Sequence, residues 1–265
     1  MIERPTRQLV VLRAGDGSLH REWIADARRD FDLFISYYGD TPGRHQADAD
    51  FYEHRPGAKW PGIAALLDEH DDWIDGYDAV WFPDDDLSAN TGTIDRLFAF
   101  FRAHELCLAQ PALTRDSPCT WHTLRQDPRA LLRHTGFIEV MAPLFSRAAL
   151  RACRASFKES PSGWGLDWIW PRLCAQAGLS GIAVIDATPV RHTRPPGGEL
   201  YRRNRELDPR ADAARLIARY GLAEVRAVAK YSITRRVAAL PLPVHRRLLY
   251  WLKRLNGRRK QLAAR

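Results

Sequence analysis

Apolar positions in this chain fall into short unbroken runs, separated by polar, turn-rich stretches and alternating with segments of helical period. Gln8-Leu9-Val10-Val11-Leu12-Arg13 is one such run and stops at the turn Ala14-Gly15-Asp16-Gly17-Ser18. Continuous apolarity over so short a length predicts a strand covered on both faces. Further strands are predicted over 31–38, 79–82, 106–111, 136–145 and 181–186. Helices are predicted from a Ser18 cap through Arg29, over 63–70 and 93–104, from Arg147 after a Ser146 cap, over 168–177 before Gly178, and over 208–220 before Gly221. The proline- and glycine-containing stretch between Gly39 and Trp60 reads as a polar loop. Strands alternating with helices imply an α/β fold with a mainly parallel sheet flanked by helices. In such sheets ligands collect at the carboxyl ends of the strands.

The third predicted strand, Ala79-Val80-Trp81-Phe82, runs straight into Pro83-Asp84-Asp85-Asp86. A buried strand ending in three carboxylates brings hard oxygen ligands to the sheet rim, where they suit Mg²⁺ or Mn²⁺ and, through it, a diphosphate. Adjacent like charges are also costly without a cation. A solvated acidic turn or a helix cap is the simpler alternative. In Ser160-Pro161-Ser162-Gly163-Trp164-Gly165-Leu166-Asp167, two glycines frame a flat Trp face beside a carboxylate. That pairing suits a sugar ring and its hydroxyl, or else a structural Trp before a helix-capping Asp. Arg191-His192-Thr193-Arg194 follows the last predicted strand, placing His192 as a potential metal ligand and Arg191 and Arg194 as potential phosphate partners. Glu139 is a single carboxylate inside an apolar run and requires a partner or ligand.

The 265 residues and 45% hydrophobic content allow one large core. No apolar run approaches membrane-spanning length, and the start of the chain has no signal-peptide pattern, so a cytoplasmic location is expected. The four cysteines are widely spaced and are expected to be free thiols. The net charge of +8 divides unevenly along the chain: residues 225–265 hold twelve basic and no acidic residues, whereas residues 1–224 hold 28 basic against 32 acidic. A mildly acidic body therefore carries a basic tail, which suggests two parts with different jobs, and we divide the chain into a body, 1–198, and a basic helical C-terminal extension, 199–265.

Four blocks occur in order: Tyr77 to Leu87, Ala109-Gln110-Pro111-Ala112-Leu113, Gly136 to Ala149, and Trp164-Gly165-Leu166-Asp167. Together they resemble the family known as domain of unknown function 707, and through it glycosyltransferases of the GT-A (Rossmann-like) fold. The resemblance covers roughly residues 8–195. It implies a metal-dependent transferase that uses Mn²⁺ or Mg²⁺ and a nucleotide-sugar donor, with a UDP-sugar first among them, acting on a glycan or lipid-linked acceptor with inversion. Asp84-Asp85-Asp86 is similar to the D-x-D signature, which implies metal binding by Asp84 and Asp86, completed by His192. Gly163-Trp164-Gly165-Leu166-Asp167 is similar to the acceptor motif of inverting galactosyltransferases. That implies Asp167, or else Glu139, as the catalytic base, with Trp164 and Gly165 at the acceptor. Arg13, Asp40, Lys59, Asp85, Arg191 and Arg194 are implied on the nucleotide-sugar side. The chain lacks the run of acids that those galactosyltransferases place after the Trp.

Leu242 to Leu255 mixes basic residues with Leu, Tyr and Trp at helical spacing, which suits peripheral contact with an anionic membrane. The acidic body offers no matching surface for nucleic acid, and none is expected as a partner. Two other readings compete with the transferase. One is a metal-dependent phosphohydrolase or nucleotidyltransferase, disfavoured by the lack of a second Asp/His-rich cluster. The other is a GT-A-fold module that binds a glycan or nucleotide without turnover.

Overall fold

The computed structural model describes residues 7–26, 28–195, 203–222, 233 and 235–238. Its strands are β1 (Gln8–Ala14), β2 (Asp32–Tyr37), β3 (Phe51–His54), β4 (Ala79–Trp81), β5 (Leu87–Ser88), β6 (Leu108–Leu113), β7 (Ala130–His134), β8 (Leu144–Ser146), β9 (Ile182–His192) and β10 (Arg235–Ala238). Its α-helices are α1 (His20–Trp23), α2 (Lys59–Glu69), α3 (Asp71–Ile74), α4 (Thr91–Ala103), α5 (Arg147–Cys153), α6 (Leu166–Gln176) and α7 (Pro209–Tyr220). The sheet order is β10-β7-β9-β6-β8-β4-β1-β2-β3, and β5 pairs with the end of β9. β3, β2, β1, β4, β6, β9 and β10 run one way; β8 and β7 run the other.

Alternation along β1 explains the layers. Val10, Leu12 and Ala14 face one apolar cluster, which α4 closes with Ile94, Leu97, Phe98 and Phe101. Leu9 and Val11 face the other, which is filled from α2, α5 and α6 by Trp60, Ile63, Leu66, Ala149, Ile169 and Trp170. Burial on both faces is the physical reason for the unbroken apolar runs. All four cysteines are free, and Cys107, Cys153 and Cys174 are buried.

Several elements differ from the sequence expectation. The helix expected over 18–29 is a single turn, α1. Beyond it the chain is drawn back to the sheet, with the Asp26 amide donating to Thr91 Oγ1 (3.2 Å) and the Arg29 guanidinium to the Phe31 carbonyl (3.1 Å). The strand expected over 136–145 exists only as β8. Residues 139–143 instead cross the carboxyl end of β4, where their carbonyls accept from side chains and from the acidic turn rather than from a ladder. β3 lies inside the expected polar loop. β7 escapes detection because Arg133, in its middle, is buried against Asp186.

α7 and β10 lie beyond residue 198, yet both are built into the same body. Leu216 of α7 is fully buried in the second cluster, and β10 extends the sheet next to β7. The basic helix expected over 242–255, and with it the membrane contact, lies outside the described residues. Among the described residues no helix is long and apolar enough to cross a membrane.

Candidate active site

β1, β4, β6 and β9 run the same way, so their carboxyl ends open on one side of the sheet. The acidic turn follows β4 there. β5 pairs antiparallel with the end of β9, placing Leu87 opposite His192, and this register brings Asp86 to His192. Asp86 Oδ2 lies 3.2 Å from His192 Nε2, and both side chains are about nine-tenths buried or more. The other imidazole nitrogen, Nδ1, donates to the Pro118 carbonyl at 2.8 Å. Burial pulls the His192 pKa down, but the hydrogen bond and charge of Asp86 outweigh it and push it up to about 9.

The three aspartates have separate surroundings. Asp84 Oδ1 accepts from Lys59 Nζ at 2.6 Å, and the same ammonium donates to the carbonyls of Phe82, Val140 and Met141 at 2.9–3.0 Å. Burial, with the charge of Asp86 adding to it, raises the Asp84 pKa against the pull of Lys59. The Asp84 side chain still keeps 38% of its surface open to solvent. Asp85 turns the opposite way: it accepts from the Gly15 amide (2.7 Å) and pairs with Arg194 (3.3 Å), joining the acidic turn to the β1 loop. Burial pushes its pKa up to about 6. Asp86 Oδ1 is buried and has no hydrogen-bond partner.

Glu139 and Asp167 reach the same place from the other side. Glu139 is positioned by its own amide, which donates to Gln110 Oε1 at 2.6 Å at the end of β6. Burial lifts its pKa to about 7; His192 and Lys59 oppose the rise and Asp84 adds to it. Asp167 opens α6, buried, with Oδ1 unpartnered. Burial and the charge of Glu139 raise its pKa well above the carboxylate range against the helix-start amides. Trp164 stands just before it, 47% exposed on a turn whose two glycines have φ of +83° and +93°. A side chain on Gly165 would meet Leu216 of α7.

The structure thus brings Asp84, Asp86, His192, Lys59, Glu139 and Asp167 into one electrostatically connected group, with Trp164 and Gly165 on the adjoining turn. Other candidates lie around it. Arg13 is buried beneath the β1 end, bonded to Ser36 Oγ and to the carbonyls of Arg55 and Gly57, and burial lowers its pKa to about 10. Asp40 is exposed and pairs with Arg203. Arg191 points outward from β9 to Asp116, as the two-residue period requires when Val190 and His192 point in. Arg194 bridges Asp85 and the Gly17 carbonyl. Gln110 was not singled out by the sequence reading. Its signal was available: a lone amide in the buried strand Leu108–Leu113, whose Nε2 is left without a partner.

A divalent ion fits this donor set. Asp86 offers a buried, unpartnered carboxylate oxygen, Asp84 a second carboxylate partly open to solvent, and His192 an imidazole held by its Nδ1 bond with Nε2 facing Asp86. Among the described residues, tighter groups of possible ligand atoms occur elsewhere, at His20, His45 and Asp48 and at Glu53, Glu69 and His70.

The family model described as "Protein of unknown function (DUF707)" matches residues 131–236. No curated protein matches the chain in sequence. Among solved structures, TarS of S. aureus superposes with a TM-score of 0.51 at 11% identity over 83% of this chain; the chain spans only 44% of the length of TarS. Glucosyl-3-phosphoglycerate synthase from Mycobacterium tuberculosis, solved with Mn²⁺, UDP and phosphoglyceric acid, gives 0.51 at 18% identity over 83% of this chain and 80% of its own. At such identities the likeness is one of fold. The chain joins a DUF707 match across β7 to β10 to the GT-A-like fold of these glycosyltransferases.

Proposed function

We propose that the protein transfers a sugar from a nucleotide-sugar donor to an acceptor hydroxyl at the carboxyl end of β4. The observation that carries this reading is the pair of buried, unpartnered carboxylate oxygens, Asp86 Oδ1 and Asp167 Oδ1, within one electrostatically connected group. A buried carboxylate oxygen left without a partner is costly, and each of these has room for one more ligand atom or proton donor. Asp86, Asp84 and His192 would hold Mn²⁺ or Mg²⁺, which offsets charge developing on the leaving nucleoside diphosphate. Lys59 fixes Asp84 and opposes the rise in its pKa that burial causes. Arg194, through Asp85, sets the β1 loop against the acidic turn.

On the acceptor side, Trp164 offers its exposed face to a sugar ring, and Asp167 Oδ1 takes the hydroxyl proton. Burial, with the charge of Glu139 adding to it, raises the Asp167 pKa, so this carboxylate is a strong base once ionised and transfer should increase with pH as it ionises. Attack opposite the leaving group would invert the anomeric centre. UDP in the M. tuberculosis structure supports a uridine donor as the first to try.

The test is a thermal-shift screen of UDP, GDP, CDP and ADP with and without Mn²⁺ or Mg²⁺. A ligand that binds only the folded chain raises its melting temperature. We expect a metal-dependent rise with one diphosphate that is absent in Asp86→Ala. No rise with any of them in folded protein would overturn the proposal. A rise without turnover of the matching nucleotide sugar would favour a binding module.

A further inference from the structure

We propose that His20, His45 and Asp48 form a second metal site, of transition-metal type, which pins the loop after β2 to the loop after β1. His20 Nε2 lies 3.1 Å from Asp48 Oδ2, and His45 Nδ1 lies 3.7 Å from the same oxygen. All three ligand atoms fall within 4.8 Å of one another. Nitrogen and oxygen ligands about 2.0–2.1 Å from one tetrahedral ion sit roughly 3.3 Å apart, so the set needs little movement to close on an ion.

Hydrogen bonds behind the rings favour the same reading. His45 Nε2 contacts the Gly15 carbonyl at 3.2 Å. A carbonyl only accepts, so Nε2 carries the proton and Nδ1 of the neutral ring is a bare lone pair. That nitrogen is buried and makes no hydrogen bond, although the side chain is only 6% exposed and faces Asp48. His20, fully buried, has its Nδ1 at 2.8 Å from Ser18 Oγ, and its Nε2 donates to Asp48 Oδ2 at 3.1 Å through the proton that an ion would displace. Outer-shell partners of this kind accompany metal-bound histidines. His45 also holds a left-handed backbone, φ 68°, which histidine adopts more readily than most residues. Two imidazoles and one carboxylate suit Zn²⁺ and its neighbours rather than Mg²⁺. Arg21 also bonds Asp48 Oδ2 at 3.0 Å, from a side chain that is 72% exposed and is free to turn aside for an ion. The other tight group, Glu53, Glu69 and His70, already holds the Arg55 guanidinium across both carboxylates.

Co²⁺, which reports its coordination by visible absorption, is the probe. It is titrated into metal-stripped full-length protein and into Asp86→Asn, His45→Asn, Asp48→Asn and Arg21→Ala. Asparagine tolerates the His45 backbone, and circular dichroism checks each fold. We expect a one-equivalent band typical of four- or five-coordinate Co²⁺, without a thiolate charge-transfer band. It should persist in Asp86→Asn and weaken tenfold or more in affinity in His45→Asn and Asp48→Asn. Arg21→Ala should bind several-fold more tightly. No band in the wild type, a band lost only in Asp86→Asn, or a band unchanged in whichever of His45→Asn and Asp48→Asn folds would overturn the site.

Discussion

At the scale of single residues, Glu139 ties chemistry to stability. Burial raises its pKa to about 7 from a usual value near 4.5. The folded chain therefore holds this proton more tightly than the unfolded chain. The resulting stabilisation is full below about pH 4.5 and is lost as pH rises through about 7. Glu139→Gln does not titrate. Its stability relative to the wild type should rise by on the order of 2 kcal/mol between pH 4 and pH 8, measured by urea unfolding at both. A constant difference would mean that Glu139 ionises normally. Asp84, Asp86, His192 and Asp167 could be named as candidates from the sequence, because each stands at a strand end or beside a glycine turn. The burial of Arg13 could not: its environment comes from Ser36 and the carbonyls of Arg55 and Gly57, on segments that only the fold brings together.

Among the elements, α7 matters most for the turn that carries Trp164. Asp212 is buried and accepts from the Ser162 amide at 3.0 Å, while Leu216 fills the space left by Gly165. Leu216→Ala should cost about 2–5 kcal/mol by urea unfolding and loosen the turn that carries Trp164 and Asp167. Gly165→Ala should destabilise the chain as well, since φ there is +93° and the new Cβ would meet Leu216 Cδ1 at 2.9 Å. Strands covered on both faces were legible because nothing but apolarity is tolerated there. Segments that spend their carbonyls on the site were not: Gly136 to Pro143 has the composition of a strand, but Lys59 Nζ and Trp81 Nε1 claim its oxygens. α1 was overextended because polar residues after Trp23 carry the period of a helix without an apolar face to dock.

Over the whole molecule, the described residues beyond 198 pack onto the body: α7 into its second apolar cluster and β10 onto β7. Removing residues 199–265 would strip Leu216 from the core and leave β7 as an open sheet edge. We expect the 1–198 chain to melt at least several degrees lower and to aggregate, as scanning calorimetry and light scattering would record. The break in charge along the sequence reflects composition, whereas packing continues across it.

Lys59 gives the acidic turn a resident cation. One ammonium holds Asp84 and three backbone carbonyls from two separate loops, and keeps them in place before any ligand arrives. Folding of this turn therefore does not depend on a divalent ion, and refolding from urea should give the same yield in EDTA as in Mn²⁺. Exchanging the ammonium for an apolar chain of similar length, Lys59→Met, would hand that task to the ion. The variant would then refold only when metal is supplied, turning an optional ligand into a folding requirement.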